Sequence, residues 1–388
     1  MKKWLMGLMV VLVAFGMSAC SEKSASSEDT IKIGAVIDSS GGSAPLGKGE
    51  EETLKMLVEQ VNEEGGIGGK KIKLISIDSK SDQNEAVLAT KKLIDQEKVQ
   101  AIIGGTISGN SLAMIPLIEK AGVPYISLAA SKQVNNPDDG SSRKWTFKTA
   151  QGDDIVIPKL LEYLKSQDLT NVAWLGVANS YGTSGHEEFE KLAPEYGIQA
   201  IVEEEFEATV NDAKAMLTKV KKENPQAIIV WGTAKESAVI TKNIRELGME
   251  MPIIESHGIG SKDFIELAGD AANGVIFPAG KLLVVDELAE SDKQKSTLLK
   301  YKAAFEKTYN KEPSTFGGHT WDAFHILKIA LEKSKGDKAK IRDELEKTQS
   351  FIGISGEFNM TSDDHNGLGP DSLIMVKIDD DGKWSIGE

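Results

Sequence analysis

Cysteine is all but missing: the 388 residues hold one, Cys20, so no disulfide within the chain can staple the fold. Histidine is scarce as well, with five residues that form no cluster at metal-ligand spacing. No Gly-x-Ser-x-Gly elbow and no His-Glu-x-x-His motif occurs, which removes the common signatures of exported hydrolases and zinc proteases. An enzyme is therefore not expected, and neither a metal nor a cofactor site is suggested. Positive charge is in deficit, with Lys and Arg totalling 45 against 59 Asp and Glu, a formal net charge of −14. No basic patch stands out, and that argues against a nucleic-acid partner. Beyond the first twenty residues there is no second apolar run long enough to cross a membrane.

What the N-terminus does have is a leader. Lys2 and Lys3 precede a short apolar core from Trp4 to Phe15, too short for a stable span and laid out like a secretory signal. It ends Gly16-Met17-Ser18-Ala19-Cys20, which resembles the lipobox of bacterial lipoproteins, with Met17 where leucine is commonest. Residues 1–20 are expected to be a lipoprotein signal peptide, with Cys20 as the lipidation site. Acyl chains contribute about 0.8 kcal/mol per buried CH₂, enough for two or more to hold a protein on a membrane. Residues 21–30 (SEKSASSEDT) are polar and read as a flexible tether. The expected location is outside the cytoplasm, anchored to the cell membrane, in the periplasm or on the outer face of the cytoplasmic membrane.

From residue 31 the pattern is alternation. Strands are expected at 31–37, 71–77, 101–103, 124–127, 172–177, 200–206, 227–230 and 253–254. Helices are expected at 49–64, 84–97, 111–121, 156–165, 187–195, 212–223 and 235–247. Such βα units build parallel sheets covered by helices, and a body of about 350 residues is too long for one core of that kind. Residues 132–144 read as a loop, and Trp145 to Thr149 as an extended crossing between two lobes. The tail departs from alternation, with helices at 301–309, 321–331 and 339–347 followed by strands at 356–359, 372–378 and 383–386. That order suggests a chain returning to both lobes rather than a third domain. The fold class is thus α/β, with two Rossmann-like lobes of parallel sheet.

The stretch from Ala101 to Ser131 organises this reading. Its first strand ends in Gly104-Gly105-Thr106-Ile107-Ser108-Gly109-Asn110, and its second in Leu128-Ala129-Ala130-Ser131. Both mouths present hydroxyls and bare backbone amides at the carboxyl end of a sheet, where open α/β folds bind ligands. A helix N-terminus there carries roughly half a positive charge and favours an anion such as a carboxylate.

The order of features resembles the type I periplasmic binding proteins, in particular the amino-acid group of ABC-transporter substrate-binding proteins typified by leucine/isoleucine/valine-binding protein. The segment Asn62-Glu63-Glu64-Gly65-Gly66-Ile67-Gly68-Gly69-Lys70 carries most of the resemblance. Ile33-Gly34-Ala35, Ile77-Asp78, Ala121-Gly122-Val123-Pro124-Tyr125-Ile126, Ser180-Tyr181-Gly182 and Gly274-Val275 follow in matching order. The resemblance implies two lobes joined by three crossings, placed near Lys148, Gly280 and Gly353. Lobe 1 would be residues 30–149 plus 281–352, and lobe 2 residues 150–280 plus 353–388. It also implies a ligand held between the lobes: its carboxylate by Ser108, Ser131 and the main chain of Ala129, and its body under Tyr181. Thr233 falls where the family often has an aromatic, and Trp231 beside it reads as core.

His257 departs from that pattern, since it stands where amino-acid binders place the glutamate that accepts the ligand ammonium. Two alternatives stay open. Either Glu255, two residues earlier, supplies the carboxylate, or the ligand is a carboxylate or amide without an ammonium and His257 faces it. The function implied is a solute receptor of an ABC importer, most simply for an aliphatic or branched-chain amino acid. The alternatives are a non-amino carboxylate or amide, such as an aromatic or keto acid, and a ligand sensor reporting to a receptor kinase. The expected partners are the small ligand, an ABC permease with its ATPase and the membrane through Cys20, with the protein itself a monomer.

Overall fold

The computed structural model describes residues 30–141 and 143–387. The leader, most of the tether and Cys20 lie outside the described residues. The first half of the chain builds one sheet. Strand β1 (Thr30–Ile37) leads through helix α1 (Ala44–Glu63) to β2 (Lys71–Asp78), and α2 (Gln83–Lys92) leads to β3 (Ala101–Gly104). Helix α3 (Ser108–Ala121), β4 (Tyr125–Ser127) and β5 (Thr146–Lys148) complete it. The order is β2-β1-β3-β4-β5, parallel throughout. Central strands of a parallel sheet are covered on both faces, which is why β3 is an unbroken apolar run with every residue buried.

The chain then enters a second sheet. Helix α4 (Asp153–Ser166), β6 (Asn171–Val177), α5 (Ser180–Tyr196) and β7 (Gln199–Phe206) come first. Helix α6 (Lys214–Glu223), β8 (Ala227–Trp231), α7 (Ala234–Glu246), β9 (Ile253–Glu255), α8 (Lys262–Ala268) and β10 (Ile276–Ala279) follow. Next come α9 (Lys295–Tyr309), α10 (Thr315–Ser334) and α11 (Lys338–Leu345), with α10 packed on α1 of the first lobe and α11 on α10. A two-stranded hairpin, β11 (Phe351–Ile352) and β12 (Glu357–Phe358), precedes β13 (Ile374–Ile378) and β14 (Trp384–Ile386). The second sheet runs β14-β13-β10-β9-β8-β6-β7, parallel except for β13, which is antiparallel to both of its neighbours, β10 and β14.

The two lobes are therefore joined by three passages: after β5, after β10 and through the hairpin. Side chains bind these passages to one another. The Asp322 carboxylate on α10 accepts from the amides of Ile354 (2.6 Å) and Ser355 (2.7 Å). Gln151 Nε2 donates to the Ser355 carbonyl at 2.8 Å, and Asn366 Nδ2 donates to the carbonyls of Lys148 and Ala150, each at 3.1 Å. Buried polar groups that find partners cost little, whereas orphaned ones cost about 1–3 kcal/mol each, so this junction is fixed by complementarity. The helix expected at 321–331 begins earlier, at Thr315, so Asp322 lies within α10 and orders the junction.

Several boundaries differ from the sequence reading, for local reasons. Helix α5 starts at Ser180 rather than Glu187, because Asn179 Oδ1 caps the amides of Tyr181 (2.9 Å) and Gly182 (3.2 Å). Helix α3 starts three residues earlier than expected, which puts Ser108 in its first turn. The segment expected as one helix to Glu97 stops at Lys92 and continues as a π turn, ended by Lys98 in the left-handed region. Trp145 to Thr149 is more than a crossing, since Thr146–Lys148 pairs with β4 as an edge strand. The expected strand at 356–359 shrinks to Glu357–Phe358 and pairs with β11 instead of joining a lobe sheet.

Candidate ligand cleft

A cavity of about 410 Å³ lies where the carboxyl ends of both sheets face each other, lined from the first lobe, the second lobe and α10. That volume suits a small solute.

The first-lobe wall is the turn from β3 into α3. Gly104 (φ +137°) and Gly105 (φ +66°) make it possible, since a Cβ on either would sit 2.1 Å from Val36 O or Tyr125 Oη. The turn places Thr106, Ile107, Ser108 and Gly109 in the wall. Ile107 at the N-cap offers no side-chain oxygen, so the first amides of α3 are left uncapped. Ser108 Oγ accepts from the Ser131 amide (3.3 Å), which leaves its proton for another acceptor. Thr106 has both hands occupied: its hydroxyl donates to Glu50 Oε2 (2.6 Å) and accepts from the Asp38 amide (3.0 Å). Burial raises Asp38 and lifts Glu50 well above the usual carboxylate range.

The second-lobe wall is made of rings and capped helix ends. Gly182 lets α5 approach β6, because a Cβ there would sit 1.7 Å from Val177 O, and Gly185 lets it pass Trp231. Tyr181 then stacks on Trp231 with centroids 5.6 Å apart, and Trp231 on Trp174 at 5.4 Å. Its hydroxyl lies 3.2 Å from His257 Nδ1, and the His257 ring stands edge-on to both Tyr181 and Trp231. His257 Nε2 is buried without a hydrogen-bond partner among the described residues. Desolvation, then His319 and Lys148, push the His257 pKa down to about 3, so the imidazole is neutral. Helix α7 closes with a capping box in which Glu236 Oε1 accepts from the amide and hydroxyl of Thr233, each at 2.8 Å.

Of the residues singled out from sequence, Ser108, Tyr181, Thr233 and His257 meet in this wall. Ala129, Ser131 and Glu255 do not. The Ala129 amide is spent on Ser127 Oγ at 3.1 Å. Ser131 turns its hydroxyl to Ser184 Oγ (2.8 Å), which in turn donates to Asp153, so Ser131 bridges to α5 rather than to a ligand. Lys132 beside it pairs with Glu188 of the same helix. Glu255 points into the sheet–helix core, where Oε1 accepts from Thr241 Oγ1 at 2.7 Å, and burial raises its pKa to about 8. Its expected place on the His257 face fails because the strand ends at Glu255 and a 3₁₀ turn begins at His257.

Sequence reasoning missed Lys80, Lys235, Glu236, Phe316 and His319, all in the wall. The Thr233-x-x-Glu236 capping box was the legible signal for one of them. Away from the cleft, His186, Glu190 and Glu203 bring ligand atoms within 4.8 Å of one another on partly or fully exposed surface. Exposed acidic groups gather this way without a metal, and no feature of the cleft depends on them.

The profile described as Periplasmic binding protein matches residues 30–383. A leucine-, isoleucine-, valine-, threonine- and alanine-binding protein of Pseudomonas aeruginosa is 25% identical over 322 residues, covering 82% of this chain and 82% of that one. The branched-chain amino acid transporter substrate-binding protein LivJ of Streptococcus pneumoniae, solved with isoleucine, is 28% identical with a TM-score of 0.82, over 92% of this chain and 99% of that one. An extracellular ligand-binding receptor from Rhodopseudomonas palustris superposes with a TM-score of 0.86 at 26% identity, over 92% and 99%.

Proposed function

The chain belongs to the periplasmic binding protein family, and on that premise we propose that it is an extracytoplasmic solute receptor of an ABC importer. Its ligand is a small carboxylate-bearing solute held between the lobes. The observation that carries this is the uncapped N-terminus of α3 with the Ser108 hydroxyl beside it, in the wall of an inter-lobe cavity. The helix end and the hydroxyl both prefer an anion, and charge-assisted hydrogen bonds there are worth roughly 1.5–3 kcal/mol each. The ligands named for the relatives are aliphatic amino acids, and the carboxylate is the part of them that the first-lobe wall supports.

Binding works by closure. Each lobe contributes one wall, so a ligand touching both stabilises the closed form over the open one by its differential affinity. The closed form would then dock on a permease driven by its ATPase. Cys20 would carry lipid, and residues 21–30 would act as a tether holding the receptor at the membrane. The lobe boundaries near residues 149, 280 and 352 serve as the hinge in this reading, supported by the three cross-linked passages. Calorimetric titration of the protein with a panel of small carboxylates and their amides tests the function: carboxylates should bind and the matching amides should lose most of the affinity. Equal binding of acid and amide would refute it.

A further inference from the structure

Among the described residues, each carboxylate in or near the wall that faces the carboxylate end already accepts hydrogen bonds within the protein. Glu236 is the one acidic side chain lining the cavity among the described residues. Its Oε1 is held by the Thr233 amide and hydroxyl, so it serves the end of α7. Glu255 is turned into the core toward Thr241. Asp153 is engaged by Ser184 and by the Lys132 amide (3.4 Å) and is not part of the wall. Lys80 and Lys235 line the same space, although Lys80 lies 3.7 Å from Glu85. An ammonium here would meet uncapped helix amides, two lysines and one engaged carboxylate, which makes its desolvation expensive.

What the wall offers instead is His257. Its ring is fixed by the Tyr181 hydroxyl on Nδ1 and by edge contacts to Tyr181 and Trp231, and Nε2 is left without a partner. A neutral imidazole with one nitrogen engaged presents a single donor or a single acceptor on the other. Either form matches an uncharged group: a carbonyl or ether oxygen for a donor, a hydroxyl or amide N–H for an acceptor. We propose that the cleft selects a carboxylate lacking an α-ammonium, whose uncharged oxygen- or amide-bearing end hydrogen-bonds His257 Nε2. This rests on the carboxylate reading above and adds the chemistry of the ligand's other end. His257 is then the specificity-determining residue, excluding amino acids by offering them no counter-charge.

Matched probes test it on the full-length protein in detergent, by calorimetric titration. Leucine is compared with 2-hydroxy-4-methylpentanoate and 2-oxo-4-methylpentanoate, and phenylalanine with 2-hydroxy-3-phenylpropanoate and phenylpyruvate. Within each set the carbon skeleton is constant and only the group at C2 changes. A hydroxy or oxo acid should bind at least tenfold more tightly than its amino partner. His257→Glu should reverse that order by at least tenfold, and His257→Gln, which keeps an uncharged hydrogen-bonding end, should hold it within a few fold. Should His257→Glu not fold, as judged by thermal unfolding without ligand, the wild-type comparison alone decides. The amino member binding tightest in wild type overturns the inference and leaves the carboxylate reading intact. Such a preference lost in Glu236→Gln would assign the acceptor to Glu236. Failure of every probe to bind overturns the carboxylate reading and this inference with it.

Discussion

The two walls of the cleft are built from the same kind of unit, a parallel strand leading into a helix N-terminus, yet they finish it differently. In the first lobe the start of α3 carries no side-chain cap, and two left-handed glycines bring its amides to the cavity. In the second lobe α5 is capped by Asn179 and α7 by its Thr233–Glu236 box, so their amides are spent. Rings fill the place: Tyr181 and His257 over Trp231. An uncapped helix N-terminus attracts negative charge, whereas a capped one under aromatic cover has no such amides to offer an anion. The difference teaches that one lobe can hold an ionic end and the other must discriminate by shape and uncharged hydrogen bonds.

The largest break in that contrast should come from Trp231→Ala. Trp231 is fully buried, lies under both Tyr181 and His257, and stacks on Trp174. Removing it should cost about 3–5 kcal/mol of stability, read by denaturant unfolding, and should abolish ligand binding at temperatures where the protein remains folded. Loss of stability with binding intact would mean that the ring stack is core alone.

Ser108→Ala acts on the other wall and should separate the two properties the other way. The hydroxyl's proton is the one free side-chain donor identified at the α3 turn among the described residues, so its loss should weaken affinity by roughly 10- to 150-fold. Among the described residues the one internal partner lost is the Ser131 amide, so the midpoint of thermal unfolding without ligand should move little. A large fall in melting temperature with unchanged affinity would place Ser108 in the structure rather than in the site.

These two residues also show what was legible beforehand. The β3–α3 turn is written in its glycines and hydroxyls, because a close backbone approach demands particular residue types at particular positions. The Thr233-x-x-Glu236 box is equally local. Glu255 was not legible in this way. Whether a carboxylate two residues from His257 shares its face depends on where the strand ends, and a 3₁₀ turn at 257 reverses the expectation. Ser131 failed for a tertiary reason, since its hydroxyl is claimed by Ser184 on a helix of the other lobe. Phe316 and His319 reach the cavity from a helix far along the chain that packs on α1, and no spacing rule announces that.

A smaller effect is expected from Tyr181→Phe. The ring that stacks on Trp231 stays, and only the hydroxyl facing His257 Nδ1 is lost. One hydrogen bond of about 0.5–1.5 kcal/mol then no longer fixes the imidazole, so affinity should fall by roughly two- to tenfold and discrimination between hydroxy and oxo acids should narrow. A null result in both readouts would show that His257 is oriented by packing against Trp231 alone.

The smallest expected effect sharpens the contrast by separating stability from binding. Glu255 lies in the second lobe behind the wall, with Oε2 buried and unpartnered, and desolvation raises its pKa to about 8. The folded state therefore holds a proton that the unfolded chain releases near the ordinary carboxylate value of about 4.5. Between those two values the folded state binds more protons, so this group's contribution is complete below about pH 4.5 and is lost as pH rises toward 8. Asp153 and Asp322, each raised to about 7, work in the same direction. The buried imidazoles of His257 and His319, pushed down to about 3, oppose them by costing stability as pH falls below about 6.5. Glu255→Gln keeps an acceptor for Thr241 and removes one titrating proton. Its melting temperature should rise relative to wild type as pH goes from 5 to 8, because the variant lacks the proton whose loss weakens the wild type over that range. Affinity should stay within about threefold of wild type at either pH, because Glu255 does not line the cavity. A fall in affinity beyond that would return Glu255 to the site as the ammonium acceptor and make the second lobe, like the first, a wall that reads charge.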